Sequence, residues 1–112
     1  MKGLSVRWPL AQAPSGAEQE LRDYVADSSH ARFSGMSGLR FKTWRMREGE
    51  WFEGTYVFVS DEARAEFEAG FRPGADDSPV SKIVGAGPES IEPFEVVAIA
   101  EGWDGFSSSA RG

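Results

Sequence analysis

The sequence predicts a ferredoxin-like α+β domain, with a four-stranded antiparallel sheet and its helices on one face, and three observations lead there. The elements read in the order strand, helix, strand, strand, helix, short helix, strand, which is the split βαβ arrangement. Only two helices are long enough to cover a sheet, so both belong on one face. The third and fourth strands still carry apolar residues for two faces, and a lone domain covers the second face most simply with another copy of itself. A homodimer is therefore expected.

Taken in order, Lys2 to Trp8 alternates Leu4, Val6 and Trp8 with Gly3, Ser5 and Arg7, the period of a half-buried strand, and Pro9 and Pro14 stop it. Ser15-Gly16-Ala17-Glu18 reads as a capping box that starts a helix with Ala17, Leu21, Tyr24, Val25 and Phe33 inward, ended by Gly35 and Gly38. From Leu39 to Arg47 a second strand is expected to set Leu39, Phe41 and Thr43 on one face and Arg40, Lys42, Trp44 and Met46 on the other. Glu48-Gly49-Glu50 then connects tightly to Trp51–Val59, an aromatic and β-branched run that completes an antiparallel hairpin. In that run Trp51, Val57 and Val59 face one way and Phe52, Tyr56 and Phe58 the other, so it needs cover on both sides.

Ser60-Asp61 caps the next helix, which turns Ala63, Phe67 and Phe71 inward. Gly70 to Asp77 reads as a polar loop, and Asp77-Ser78-Pro79 opens a short helix that Gly85 and Gly87 close. The last strand is expected over Ile91 to Ala100, a nearly continuous apolar run. Residues 1–101 thus form one domain, and 102–112 a flexible tail in which Ser107-Ser108-Ser109 is expected to be disordered.

Composition narrows the function. One chain of 112 residues with 40% hydrophobic content supports one modest core. No apolar run is long enough for a membrane span, and the amino terminus lacks the apolar stretch of a signal peptide, so a cytoplasmic location is expected. With no cysteine and the single histidine His30, neither a disulfide, a thiolate metal site nor a multi-histidine site can form within one chain. The net charge of −6 is uneven: residues 1 to 50 carry eight Lys/Arg against six Asp/Glu, and residues 51 to 112 four against twelve. The short basic run Arg40, Lys42, Arg45, Arg47 does not offset that acidity, which argues against nucleic acid. No glycine-rich dinucleotide turn, phosphate loop or nucleophile elbow is present, and Pro88 removes an amide that a phosphate cradle at Gly85-Ala86-Gly87 would need.

The stretch Met36-Ser37-Gly38-Leu39-Arg40-Phe41-Lys42-Thr43-Trp44, then Glu53-Gly54-Thr55-Tyr56-Val57-Phe58 and Ser60-Asp61-Glu62-Ala63, resembles the YdhR-like monooxygenase family. The Gly-Leu-x-x-Lys-x-Trp strand, the Gly-x-Tyr-x-Phe strand and the acidic helix start carry the resemblance. It implies a dimeric α/β barrel over nearly the whole chain to Ala100, and an oxygenation that needs no bound cofactor or metal. The Arg72–Pro79 loop and the Trp103–Phe106 tail are elaborations on that pattern.

Such chemistry requires an apolar cavity, a base or hydrogen-bond partner, and a cationic or donor group for reduced oxygen. Lys42, Tyr56 and His30 are the catalytic candidates, and Trp44, Phe58, Phe41 and Trp8 the candidate substrate-binding aromatics. Each has a plainer reading. Lys42 fits a solvated strand lysine or a dimer salt bridge to Glu53 or Glu95, the aromatics fit a core, and His30 fits a favourable helix C-terminal position. The two functional readings are a cofactor-independent monooxygenase acting on a small aromatic or polyketide-like molecule, and a non-catalytic dimeric module that binds a small hydrophobic ligand.

Overall fold

The computed structural model describes residues 1–112. The strands are β1 (Lys2–Pro9), β2 (Leu39–Arg47), β3 (Trp51–Phe58) and β4 (Ser90–Glu95), and the helices α1 (Ala17–Tyr24), α2 (His30–Phe33), α3 (Asp61–Phe71) and α4 (Pro79–Val84). The sheet runs β2-β3-β1-β4 with every neighbour antiparallel, which is the expected ferredoxin-like order. One face lies under the helices. There Leu4, Val6 and Trp8 of β1 and Phe52, Tyr56 and Phe58 of β3 pack against Leu21, Val25, Phe33, Val80 and Val84 to form the core.

The hairpin register is set by its three-residue turn. Arg47 pairs with Trp51 around Glu48-Gly49-Glu50, and counting back along both strands places Lys42 opposite Tyr56 and Arg45 opposite Glu53. On β1, Leu4 lies opposite Tyr56 and Arg7 opposite Glu53. Two rows therefore cross the sheet on opposite faces: Leu4–Tyr56–Lys42 under the helices, and Arg7–Glu53–Arg45 on the open face.

The caps at Ser60 and Ser78 form as expected, each hydroxyl accepting from the amide three residues on, Ala63 and Ser81. The Ser15–Glu18 capping box does not form. Gly16 occupies the cap position in the left-handed region at φ 83°, open to glycine at little cost, and Glu18 turns away to accept from the Gly49 amide at 3.1 Å. The first helix is not continuous either. A π-helical turn over Val25–Ser29 separates α1 from α2, and its extra residue keeps Val25, Ser29 and Phe33 all buried, facing the sheet.

A bulge between Leu39 and Phe41 corrects the expected faces of β2. Leu39 pairs with Phe58 and packs on the core, whereas Phe41 pairs with Val57 on the open face. The polar loop after α3 is a 3₁₀ turn, Arg72–Asp77, with Ala75 buried at its centre. The last strand ends at Glu95 rather than Ala100, because β1, its only neighbour in the sheet, begins at Lys2, the residue opposite Glu95. Beyond it Val97 is left 96% exposed. The tail has no regular structure, but Phe106 stacks on Phe41 with ring centroids 5.0 Å apart, and Arg111 reaches Asp23 at 3.0 Å. No helix is long and apolar enough to cross a membrane.

Candidate functional site

Lys42 is the centre of the site. Its half-buried side chain points under the helices, and Nζ donates to the Tyr56 hydroxyl at 2.9 Å. The amine also lies 3.6 Å from the ring centroid of Phe33, 4.2 Å from that of Tyr56 and 4.5 Å from that of Trp44. Gly54 makes room for it: a Cβ there would stand 3.2 Å from Lys42 Cε. No carboxylate answers the lysine. Within the chain, Glu53 is on the opposite face, held by Arg7, Arg45 and Thr55, and Glu95 is paired with Lys2.

Electrostatics follow from that environment. Burial, helped by the nearby Arg32 guanidinium, pushes the Lys42 amine well below its ordinary value of 10.5. Burial pushes the Tyr56 phenol in the other direction, above 10.0, so it stays protonated. The pair thus offers an amine that can carry a proton and a hydroxyl that can donate, walled by aromatic rings.

Two openings lead to this pair. A cavity of about 40 Å³ beside it is lined by Trp8, Arg32, Phe33, Trp44, Tyr56 and Phe67 among others. It shares Arg32, Phe67 and Phe71 with a groove of about 590 Å³ between α2 and α3, floored by Phe58 and walled by Met36 and Ala63. On the other side, a cleft of about 390 Å³ along the β2 edge brings His30, Lys42 and Trp44 together beneath the tail residues Phe106 to Gly112. His30 stands 6.0 Å from Trp44, centroid to centroid, in the last helical turn before Ser34, the helix C-terminal position expected of it.

The structure thus gathers Lys42, Tyr56, Trp44 and Trp8 around one small cavity, puts Phe58 under the adjoining groove and His30 in the cleft behind. Trp8 is chiefly a core residue, its Nε1 donating to Ser81 Oγ at 2.9 Å. Phe41 does not join them, since the bulge carries it to the open face. The sequence reading missed Arg32, Phe33, Phe67 and Phe71 as site residues. Helical spacing marked Phe33, Phe67 and Phe71 as inward, but only the α2–α3 packing gives Arg32 its place. No group of three or more His, Cys, Asp or Glu side chains could hold a metal ion.

Solved structures share this architecture. A Nitrosomonas europaea protein of unknown function matches with a TM-score of 0.65 over 88% of this chain and 91% of its own, at 22% identity. A mutant of MhuD, crystallised with two manganese protoporphyrin IX molecules bound per active site, matches with a TM-score of 0.58 over 90% of this chain and 98% of its own, at 24% identity. The chain has the protomer fold of the dimeric α/β barrels. At these identities the likeness concerns the fold alone. No protein-family model matches the sequence, and no curated protein matches it.

Proposed function

We propose that the chain is the protomer of a homodimeric, cofactor-independent monooxygenase of the YdhR-like kind, acting on a small planar aromatic or polyketide-like molecule in the α2–α3 groove. The observation that supports this best is the Lys42–Tyr56 pair, 2.9 Å apart and without a carboxylate partner in the chain, in a small cavity that shares Arg32, Phe67 and Phe71 with the groove. An amine whose hold on its proton burial has weakened can take a proton from an activated ring carbon or hydroxyl, and the Tyr56 hydroxyl donates to the oxygen on which charge develops. The resulting carbanion gives its electrons to dioxygen. For an activated methylene, one oxygen atom stays as a carbonyl and the other leaves as water with the two hydrogens, so no external reductant is consumed.

The porphyrin of MhuD fits less well. The only imidazole here, His30, lines the β2-edge cleft and not the α2–α3 groove, so that groove offers no histidine to a metalloporphyrin. One observation favours the non-catalytic reading: the cavity that Lys42 shares with Tyr56 holds about 40 Å³, enough for a water or a dioxygen but not for a ring. A substrate ring would stay in the groove and present only its reacting edge.

Oxygen consumption by the purified, metal-free protein against hydroquinones and anthrone-like aromatics is the test, with Lys42→Ala, Tyr56→Phe and His30→Ala alongside. Turnover that falls by about 100-fold or more in Lys42→Ala supports the oxygenase. No turnover across the panel leaves the ligand-binding module.

A further inference from the structure

Four of the twelve cations, Arg32, Arg40, Lys42 and Lys82, have no acid partner within the chain, although it carries 18 Asp/Glu against 12 Lys/Arg. Arg7, Arg22, Arg45, Arg47, Arg64, Arg72 and Arg111 each hold a carboxylate. Arg32 and Lys42 instead approach the same Phe33 ring, Cζ at 4.9 Å from its centroid and Nζ at 3.6 Å, and both line the small cavity. Arg32 also lines the α2–α3 groove, so the guanidinium stands where the groove meets the cavity and the amine stands within.

We propose that the groove binds an aromatic acid, with the ring against Phe67 and Phe71 and the carboxylate or phenolate oxygen between Arg32 and Lys42. This rests on the groove proposed above, and for a bound carboxylate it makes Lys42 the anion's partner in place of a base. The orientation is fixed by charge. Glu66 lines the outer part of the groove and repels an anion there, so the acid end turns inward, where Arg32 offers a planar pair of donors and Lys42 a single one.

The bound anion changes the lysine. The groups facing Lys42 are Tyr56 from β3, Tyr24 from α1, and Arg32 with His30 from α2, while α3 contributes only Phe67 and Phe71 to the cavity. None is an acid, and burial with Arg32 weakens the amine's hold on its proton. An anion between the two cations reverses that balance, so binding takes up a proton at Lys42.

The test uses 1-naphthoate and its neutral, near-isosteric amide, 1-naphthamide. Binding is followed by the fluorescence of Trp44, whose ring is 4.5 Å from Nζ, and by titration calorimetry in buffers of different ionisation heat. Naphthoate is expected to bind about ten-fold or more tightly than naphthamide, with proton uptake from the buffer. Arg32→Gln should remove the preference, Arg32→Lys should restore part of it, and Lys42→Met should abolish proton uptake while the protein stays folded. Equal affinity for acid and amide, binding of neither, or a preference that survives Arg32→Gln overturns the proposal. Acid preference without oxygen consumption on any substrate leaves the anion site standing and removes the oxygenase; turnover of neutral rings with no acid preference does the reverse.

Discussion

Lys42 and Glu53 lie on adjacent strands of one hairpin, three residues apart in register, yet the sheet separates them and treats them oppositely. Under the helices, Lys42 has one neutral partner and three rings. On the open face, Glu53 is 3% exposed and accepts from Arg7 at 2.8 Å, Arg45 at 2.7 Å and Thr55 at 2.8 Å, with Trp51 stacked beneath both guanidinium groups. A carboxylate with every lone pair answered clamps three strands together; an amine left unanswered in an apolar place is a group reserved for something that arrives later. The same burial that is offset at Glu53 stands uncompensated at Lys42, which is why the proposed chemistry is assigned to the helix-covered face.

The largest effect that sharpens this contrast is on activity. Lys42→Met should reduce turnover or acid binding by about 100-fold or more while the thermal midpoint holds or rises, since an apolar side chain replaces a desolvated amine. Steady-state kinetics beside a thermal melt check it, and a collapse in stability would make Lys42 a structural residue. Glu53→Gln should do the opposite, costing about 2 kcal/mol in denaturant unfolding with ligand affinity nearly unchanged.

The two groups also titrate in separate windows. Burial raises the Glu53 carboxyl, but the hydrogen bonds from Thr55, Arg7 and Arg45 outweigh it and hold the group below 4.5, so its contribution is complete above that value and is lost as pH falls through the folded one. Lys42 is depressed below 10.5, so between its folded value and that one the unfolded chain holds more protons and stability rises with pH. Above about 10 the raised Tyr56 phenol works against that rise. Unfolding curves across pH should lose the alkaline gain in Lys42→Met and the acid loss in Glu53→Gln. The smallest effect belongs to neither face: Ser60→Ala removes the cap of α3 and should cost about 1 kcal/mol in the same assay.

Much of this contrast was legible in the sequence. Alternation in Trp51–Phe58 separated its two faces correctly, and the short turn at Glu48-Gly49-Glu50 held the information that sets Lys42 against Tyr56. Caps at Ser60 and Ser78 were readable because their partners lie three residues away. What escaped depends on distant contacts. The capping box at Ser15 lost to a tertiary bond between Glu18 and the Gly49 amide, and the bulge at Arg40 reversed Leu39 because the core of the second strand's first residues is shared with Phe58. The π turn that seats Phe33 beneath Lys42 leaves no mark in a pattern of apolar residues, since it alters the helix period for a single turn.

The ring of Phe106 on Phe41 has a consequence for assembly. It places the chain's own carboxyl-terminal segment against the open face, the surface on which the proposed second copy would dock. Tail and partner then compete for one site, and the tail, being tethered, is always present at a high effective concentration. Dimer strength would be set by how readily eleven residues let go, and protein cut after Glu101 would associate at lower concentration than the full chain.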